Sequence, residues 1–172
     1  KALERITSTN ADGFGVIDPK WLPYTTVISP MAALLAQIDR NKSDHTAYKA
    51  LRKWYWSSAL LERYAGSVES TIYRDYQDLL KLITKSTTEK PAVFTLVDSN
   101  IVTNLTYSIS GENRVNAVYK ALICMIALRG AKDFRTGDSI EFSLLDDHHI
   151  FPDNYLKKKK NKPDGTDYMA GD

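Results

Sequence analysis

Two adjacent imidazoles, His148 and His149, are the residues of this chain best suited to chemistry. They sit in the run Asp146-Asp-His-His-Ile-Phe-Pro152, with carboxylates before them and a proline closing it. Metal-assisted hydrolysis of a phosphodiester needs a divalent cation to hold the phosphate and stabilise the leaving oxygen. It also needs a base for the attacking water, and imidazole, which titrates near neutrality, suits that role. Successive side chains on a regular strand point to opposite faces, so a histidine pair sharing one site requires a bend. Pro152, unable to continue a ladder, provides one. Lys157, Lys158, Lys159 and Lys160, with Lys162, follow closely and are the best local candidates for phosphate contact. Taken without the neighbouring motif, the same lysines read as a solvated charge run. The third histidine, His45, stands alone at a helix start and reads as a solvated first-turn residue.

The elements ahead of this motif are helical by pattern. Residues 1–30 are punctuated by Gly13, Gly15, Pro19, Pro23 and Pro30 and read as an irregular lead-in, with residues 1–6 as the tail of an upstream helix. Met31 to Arg40 reads as a helix with Pro30 near its first turn. Asp44 to Tyr64 steps by three and four through Tyr48, Leu51, Tyr55, Ala59 and Glu62, with Trp54, Leu61 and Tyr64 widening the stripe, and Gly66 is its expected stop. In the following helix Val68, Ile72, Tyr76, Leu79 and Ile83 share one face, with Arg74, Asp75, Asp78 and Lys81 off it. The short connection predicts a helical hairpin. Ala92 to Val97 is open between strand and helix. Asn113 to Arg129, apolar nearly all round near its end, is expected at the centre of the core, with Gly130 as its stop. Gly137-Asp138 reads as a turn, and Ser139 to Ser143 alternates as a strand does.

Bulk properties exclude little. A net charge of +2, from 23 basic and 21 acidic residues, does not by itself announce a nucleic-acid binder, so any basic surface is local. Cys124, the single cysteine, lies in an apolar run and reads as a small buried hydrophobe, consistent with a reducing cytoplasm. No CxxC pair exists, which argues against a zinc-stabilised structural domain. The first ten residues lack the apolar core of a signal peptide, and Ala117 to Leu128 is too short to span a bilayer. The expected setting is soluble and cytoplasmic, without membrane attachment. Trp54, Tyr55 and Trp56 are consecutive, so at least one must leave the core-facing side of its helix, to pack against another domain or to stack on a base.

Asp147-His-His-Ile-Phe-Pro152, with Tyr155-Leu156 behind it, resembles the first motif of HNH, or His-Me finger, nucleases. With two histidines before Ile-Phe-Pro, it most resembles the C-terminal nuclease domain of GmrSD-like, modification-dependent restriction enzymes. A second stretch, Trp54-Tyr-Trp56 with Arg63-Tyr-Ala-Gly-Ser67 and Asp75, is similar to the helical segment between the N-terminal nucleotide-using domain and the nuclease domain of those proteins. The resemblance implies His149 as general base and His148 as first metal ligand, with Asp147 in reserve. It further implies a divalent metal ion (magnesium, manganese or zinc), DNA as substrate, and an N-terminal nucleotide-using domain as partner. The family's site also needs an Asn and a final His or Asn well beyond the proline. Asn154 and Asn161 lie too close, and no histidine follows His149. The chain therefore reads as a fragment that holds metal weakly or not at all by itself. The expected architecture is mainly α: a helical bundle or linker over residues 1–130, then an incomplete HNH domain over 131–172. That second part would begin with a short β element, the first half of a ββα-metal fold. The alternative is a non-catalytic helical module that connects domains or contacts DNA.

Overall fold

Three- and four-residue spacing of large apolar side chains dictates the helices, and the largest of them decide which helix is central. The computed structural model describes residues 2–40, 45–66, 68–97 and 116–140. All fall in Lys1–Ile140, the first of two compact units; the second, Glu141–Asp172, lies outside the described residues. The described residues form α1 (Ala2–Thr7), two 3-10 turns (Pro19–Trp21 and Thr25–Val27), α2 (Ile28–Arg40), α3 (His45–Leu60), α4 (Val68–Ile83), α5 (residues 92–97) and α6 (Ala117–Leu128). The expectation of a mainly α chain holds. Of the predicted β element only the approach is described: an isolated antiparallel bridge between Lys132 and Ser139. It closes a turn in which Gly137, at φ 74°, takes the left-handed conformation. Among the described residues no helix is long and apolar enough to cross a membrane.

The hub is α2 rather than α6. It packs most extensively on α4 and also meets α1 and α3, whereas α6 lies on α3 and the first 3-10 turn. Side-chain size explains the difference. The buried positions of α2 are Met31, Leu34, Leu35 and Ile38, each contributing about 1.5–3 kcal/mol by leaving water. Those of α6 are Ala117, Val118, Ala121, Cys124 and Ala127, small residues that let it approach closely but fill little volume. Its start is fixed by Asn116, whose Oδ1 accepts from the Tyr119 N–H at 2.8 Å. Gly130, at φ 68°, follows its end as expected.

Helix α3 ends at Leu60, short of the expected Tyr64, and Glu62 leaves the helix instead of continuing its face. The Arg63 N–H donates to the Ser58 carbonyl at 3.0 Å and the Glu62 N–H to that of Ala59 at 3.2 Å, while Glu62 sits at φ 48°. This is a Schellman reversal with glutamate in the place glycine usually takes. Helix α4 ends the same way around Lys85, at φ 58°, with the Ser86 N–H on the Lys81 carbonyl. Residues 92–97 resolve as helix, begun by the Phe94 N–H donating to the Pro91 carbonyl.

The lead-in is irregular but not peripheral. Phe14 and Val16 donate their N–H groups to the carbonyls of Arg5 and Ile6, each at 3.0 Å, which straps residues 13–16 against α1. Phe14 is buried and meets Tyr55 edge-on at 4.5 Å. Gly15, at φ 68°, lies against α6: a Cβ there would stand 2.8 Å from Leu128 Cγ and closer still to the Cys124 carbonyl. Cys124 is buried, and its thiol donates to the Trp21 carbonyl at 3.3 Å.

These observations give two expected outcomes. Gly15→Ala should cost at least about 2 kcal/mol, since it adds a clash to a left-handed φ, whereas Glu62→Gly should be neutral or gain up to about 1 kcal/mol by relieving one. Chemical denaturation of each variant checks this. Burial pushes the Cys124 thiol from 9.0 up to about 12, and burial followed by the charge of Glu62 pushes the Tyr24 phenol from 10.0 up to about 12. The unfolded chain loses both protons first, so their contribution is full below pH 9 and declines as pH rises from 9 towards 12. Thermal melts across that range should show falling stability, and Cys124→Ala should flatten the onset near pH 9.

Candidate functional site

The residues expected to carry catalysis and DNA contact, namely Asp147, His148, His149, Lys157 to Lys160 and Lys162, lie outside the described residues. What is described is the path to them. Beyond α6, the Asp133 carboxylate accepts from the N–H groups of Arg135 and Thr136, each at 2.8 Å. Those bonds hold its pKa below the usual carboxylate range. The Gly137 N–H donates to the Asp133 carbonyl, and the Asp133 N–H to that of Asp138. The chain thus reaches residue 140 through a turn closed by its own backbone. Among the described residues no group of three or more His, Cys, Asp or Glu side chains could hold a metal ion.

The second stretch singled out from the sequence is described almost whole, and it builds one polar cluster. The reversal at Glu62 turns Arg63 and Tyr64 back toward α4. Arg63 then grips Asp75 with two bonds, Nε to Oδ2 at 2.6 Å and Nη2 to Oδ1 at 2.7 Å. Tyr64 Oη donates to Oδ2 at 2.7 Å, and Trp54 Nε1 donates to that same phenol oxygen at 2.7 Å. Asp75 is 0% exposed. The sequence pattern sets Asp75 off the apolar face of its helix; the structure instead places it in line with Leu79 and Ile83, the other buried residues of α4. A buried carboxylate is tolerable because a bidentate guanidinium and a phenol satisfy it. The bond to Asp75 raises the Arg63 pKa further. Burial first, then the charge of Asp75, pushes the Tyr64 phenol far above its ordinary value.

Enclosed in this way, Asp75 has no access to substrate, and the cluster is a clamp rather than a reactive centre. It fixes the α3–α4 hairpin and with it the neighbouring aromatics. Trp54 and Tyr55 are buried and Trp56 is partly exposed, so one of the three leaves the core as their adjacency requires. Tyr55 Oη is buried without a hydrogen-bond partner. His45 begins α3 and is exposed, as expected.

Removing one partner of the clamp should be severe. Asp75→Ala is expected to lower stability by about 3 kcal/mol, because the part-buried Arg63 guanidinium loses its counter-charge and the buried Tyr64 hydroxyl its acceptor. Tyr64→Phe should cost about 1–3 kcal/mol by leaving Trp54 Nε1 without an acceptor. Urea denaturation measures both, and equal small losses would contradict the hierarchy.

Among known proteins, the chain is 31% identical over 163 residues to an uncharacterized protein of Methanocaldococcus jannaschii. That alignment covers 92% of this chain but 26% of that protein, so the chain spans about a quarter of the length of the curated relative it matches. No family model matches, and no solved structure matches.

Proposed function

We propose that this chain is part of a metal-dependent HNH endonuclease that hydrolyses DNA, in a system restricting foreign or modified DNA. The observation that carries the reading is the adjacent histidine pair in Asp147-His-His-Ile-Phe-Pro152. Supporting it, residues of the second resembling stretch (Trp54, Arg63, Tyr64 and Asp75) are partners in one buried cluster, as residues of a shared structural segment should be. In this reading His149 takes a proton from water as its oxygen attacks phosphorus. The bond from phosphorus to the leaving sugar oxygen breaks, and that oxygen takes up a proton from solvent, yielding a phosphomonoester and a free hydroxyl. Asp147 and His148 offer one oxygen and one nitrogen donor, a set compatible with magnesium, manganese or zinc but too small to close a site alone. Such an ion, when bound, would supply positive charge to the phosphate. Lys157, Lys158, Lys159, Lys160 and Lys162 would offset backbone charge of the DNA. An N-terminal nucleotide-using domain is the partner this reading requires.

A second reading, a non-catalytic helical module that connects domains or contacts DNA, is favoured by one observation. The described unit carries an open, largely apolar groove beside Trp56, which a packed neighbour could fill.

Cleavage of plasmid DNA by the full-length protein with magnesium or manganese separates the two. His149→Ala is expected to lower the rate by about 10²–10⁴-fold, the usual contribution of a general base. Undiminished cutting would remove His149 from the mechanism. Replacing the five lysines by glutamine should weaken DNA binding and flatten its dependence on salt, by about one unit of slope for each phosphate that is no longer neutralised.

A further inference from the structure

The groove between α3 and α6 has a volume of about 490 Å³, and its lining includes Trp56, Leu122, Met125 and Ile126 together with Arg52 and Arg129. Ile126 is 53% exposed, a large apolar side chain left in water on a helix that otherwise reads as core. Trp56 is held from behind by ring contacts to Tyr55 at 4.9 Å and Phe14 at 6.2 Å, so its free edge is presented in a fixed orientation. Arg52 is anchored by donating to the Ala11 carbonyl, a neutral acceptor. No carboxylate among the described residues pairs with Arg52 or Arg129. Arg129 is exposed at the end of α6.

We propose that this groove docks an amphipathic protein helix whose apolar side chains are flanked by Asp or Glu. Charge complementarity selects the sign of the flanks: two guanidinium groups beside an apolar trough, with no carboxylate partner among the described residues, favour carboxylates there and disfavour lysines. The aliphatic lining selects protein over nucleic acid. Bases stack on flat aromatic faces, whereas Leu122, Met125 and Ile126 offer volume for the projecting anchors of a helix laid in a groove. Met125 adapts to different anchor shapes. None of the named lining residues belongs to the histidine motif, so the docking stands whether or not that motif cleaves DNA.

Fluorescence anisotropy with the 172-residue chain tests this. The probe is a fluorescein-labelled amphipathic peptide of about five helical turns, with leucines on one face and glutamates flanking them. Binding should be saturable and at least about tenfold tighter than for the same peptide with lysines in place of the glutamates. Arg129→Glu, at an exposed position, should weaken the glutamate peptide about tenfold and strengthen the lysine peptide. Ile126→Ala should weaken the glutamate peptide while leaving the thermal melt unchanged. Equal affinity for the two peptides, or indifference to Arg129→Glu, overturns the proposal. So does a labelled single-stranded oligonucleotide that binds more tightly than the glutamate peptide and is lost in both variants, which would make the groove a nucleic-acid surface.

Discussion

A single buried carboxylate organises the α3–α4 pair. Asp75 has been taken out of water, and only the guanidinium of Arg63 and the phenol of Tyr64 make that tolerable. Their positions depend in turn on the reversal at Glu62, which brings two consecutive residues of a loop back onto the next helix. Trp54 completes the chain of bonds from the far side. An apolar pair of similar volume could be as stable or more so. It would also tolerate several relative positions of the two helices, whereas the carboxylate is satisfied in one. The ion pair thus sets a geometric condition on the pairing of the two helices, since Asp75 is satisfied only where Arg63 and Tyr64 meet it.

Much of the helical frame is legible in the sequence because period and burial agree in it. Leu51, Trp54 and Tyr55 of α3 and Leu79 and Ile83 of α4 are apolar by type and buried in fact. Pattern misleads where type and environment part. Asp75 is charged, so polarity alone sets it outside; its arginine lies twelve residues away across a turn whose geometry has no local sign. The helix stops at Glu62 and Lys85 are hidden because neither is glycine, although both adopt the left-handed backbone that glycine favours. Helix α6 looks central because it is apolar all round. Apolar composition alone does not measure how much volume a helix fills, and its inward residues are small.

For the candidate site the balance is reversed. Adjacent histidines before a proline are conspicuous in sequence because few other arrangements combine a base and a metal donor in so short a span. Their placement belongs to residues outside those described. The clamp residues draw attention only through a resemblance, since a tryptophan, an arginine, a tyrosine and an aspartate scattered between positions 54 and 75 have no periodic signature. Their common purpose becomes visible only when a hydrogen bond links each to the next.

The strap of residues 13–16 has a bearing on how the chain acquires its fold. It is bonded to α1 on one side and lies against α6 on the other, and the Cys124 thiol reaches the Trp21 carbonyl across 103 positions of sequence. Contacts of that span carry a large loop-closure cost and tend to form late. During synthesis Phe14 could pack on Tyr55 and Trp56 once α3 emerges, but Trp21 would leave the ribosome exposed and wait for Tyr119 and Cys124 of α6 before it could be sheltered. The interval between those two events is when this protein would most need a chaperone.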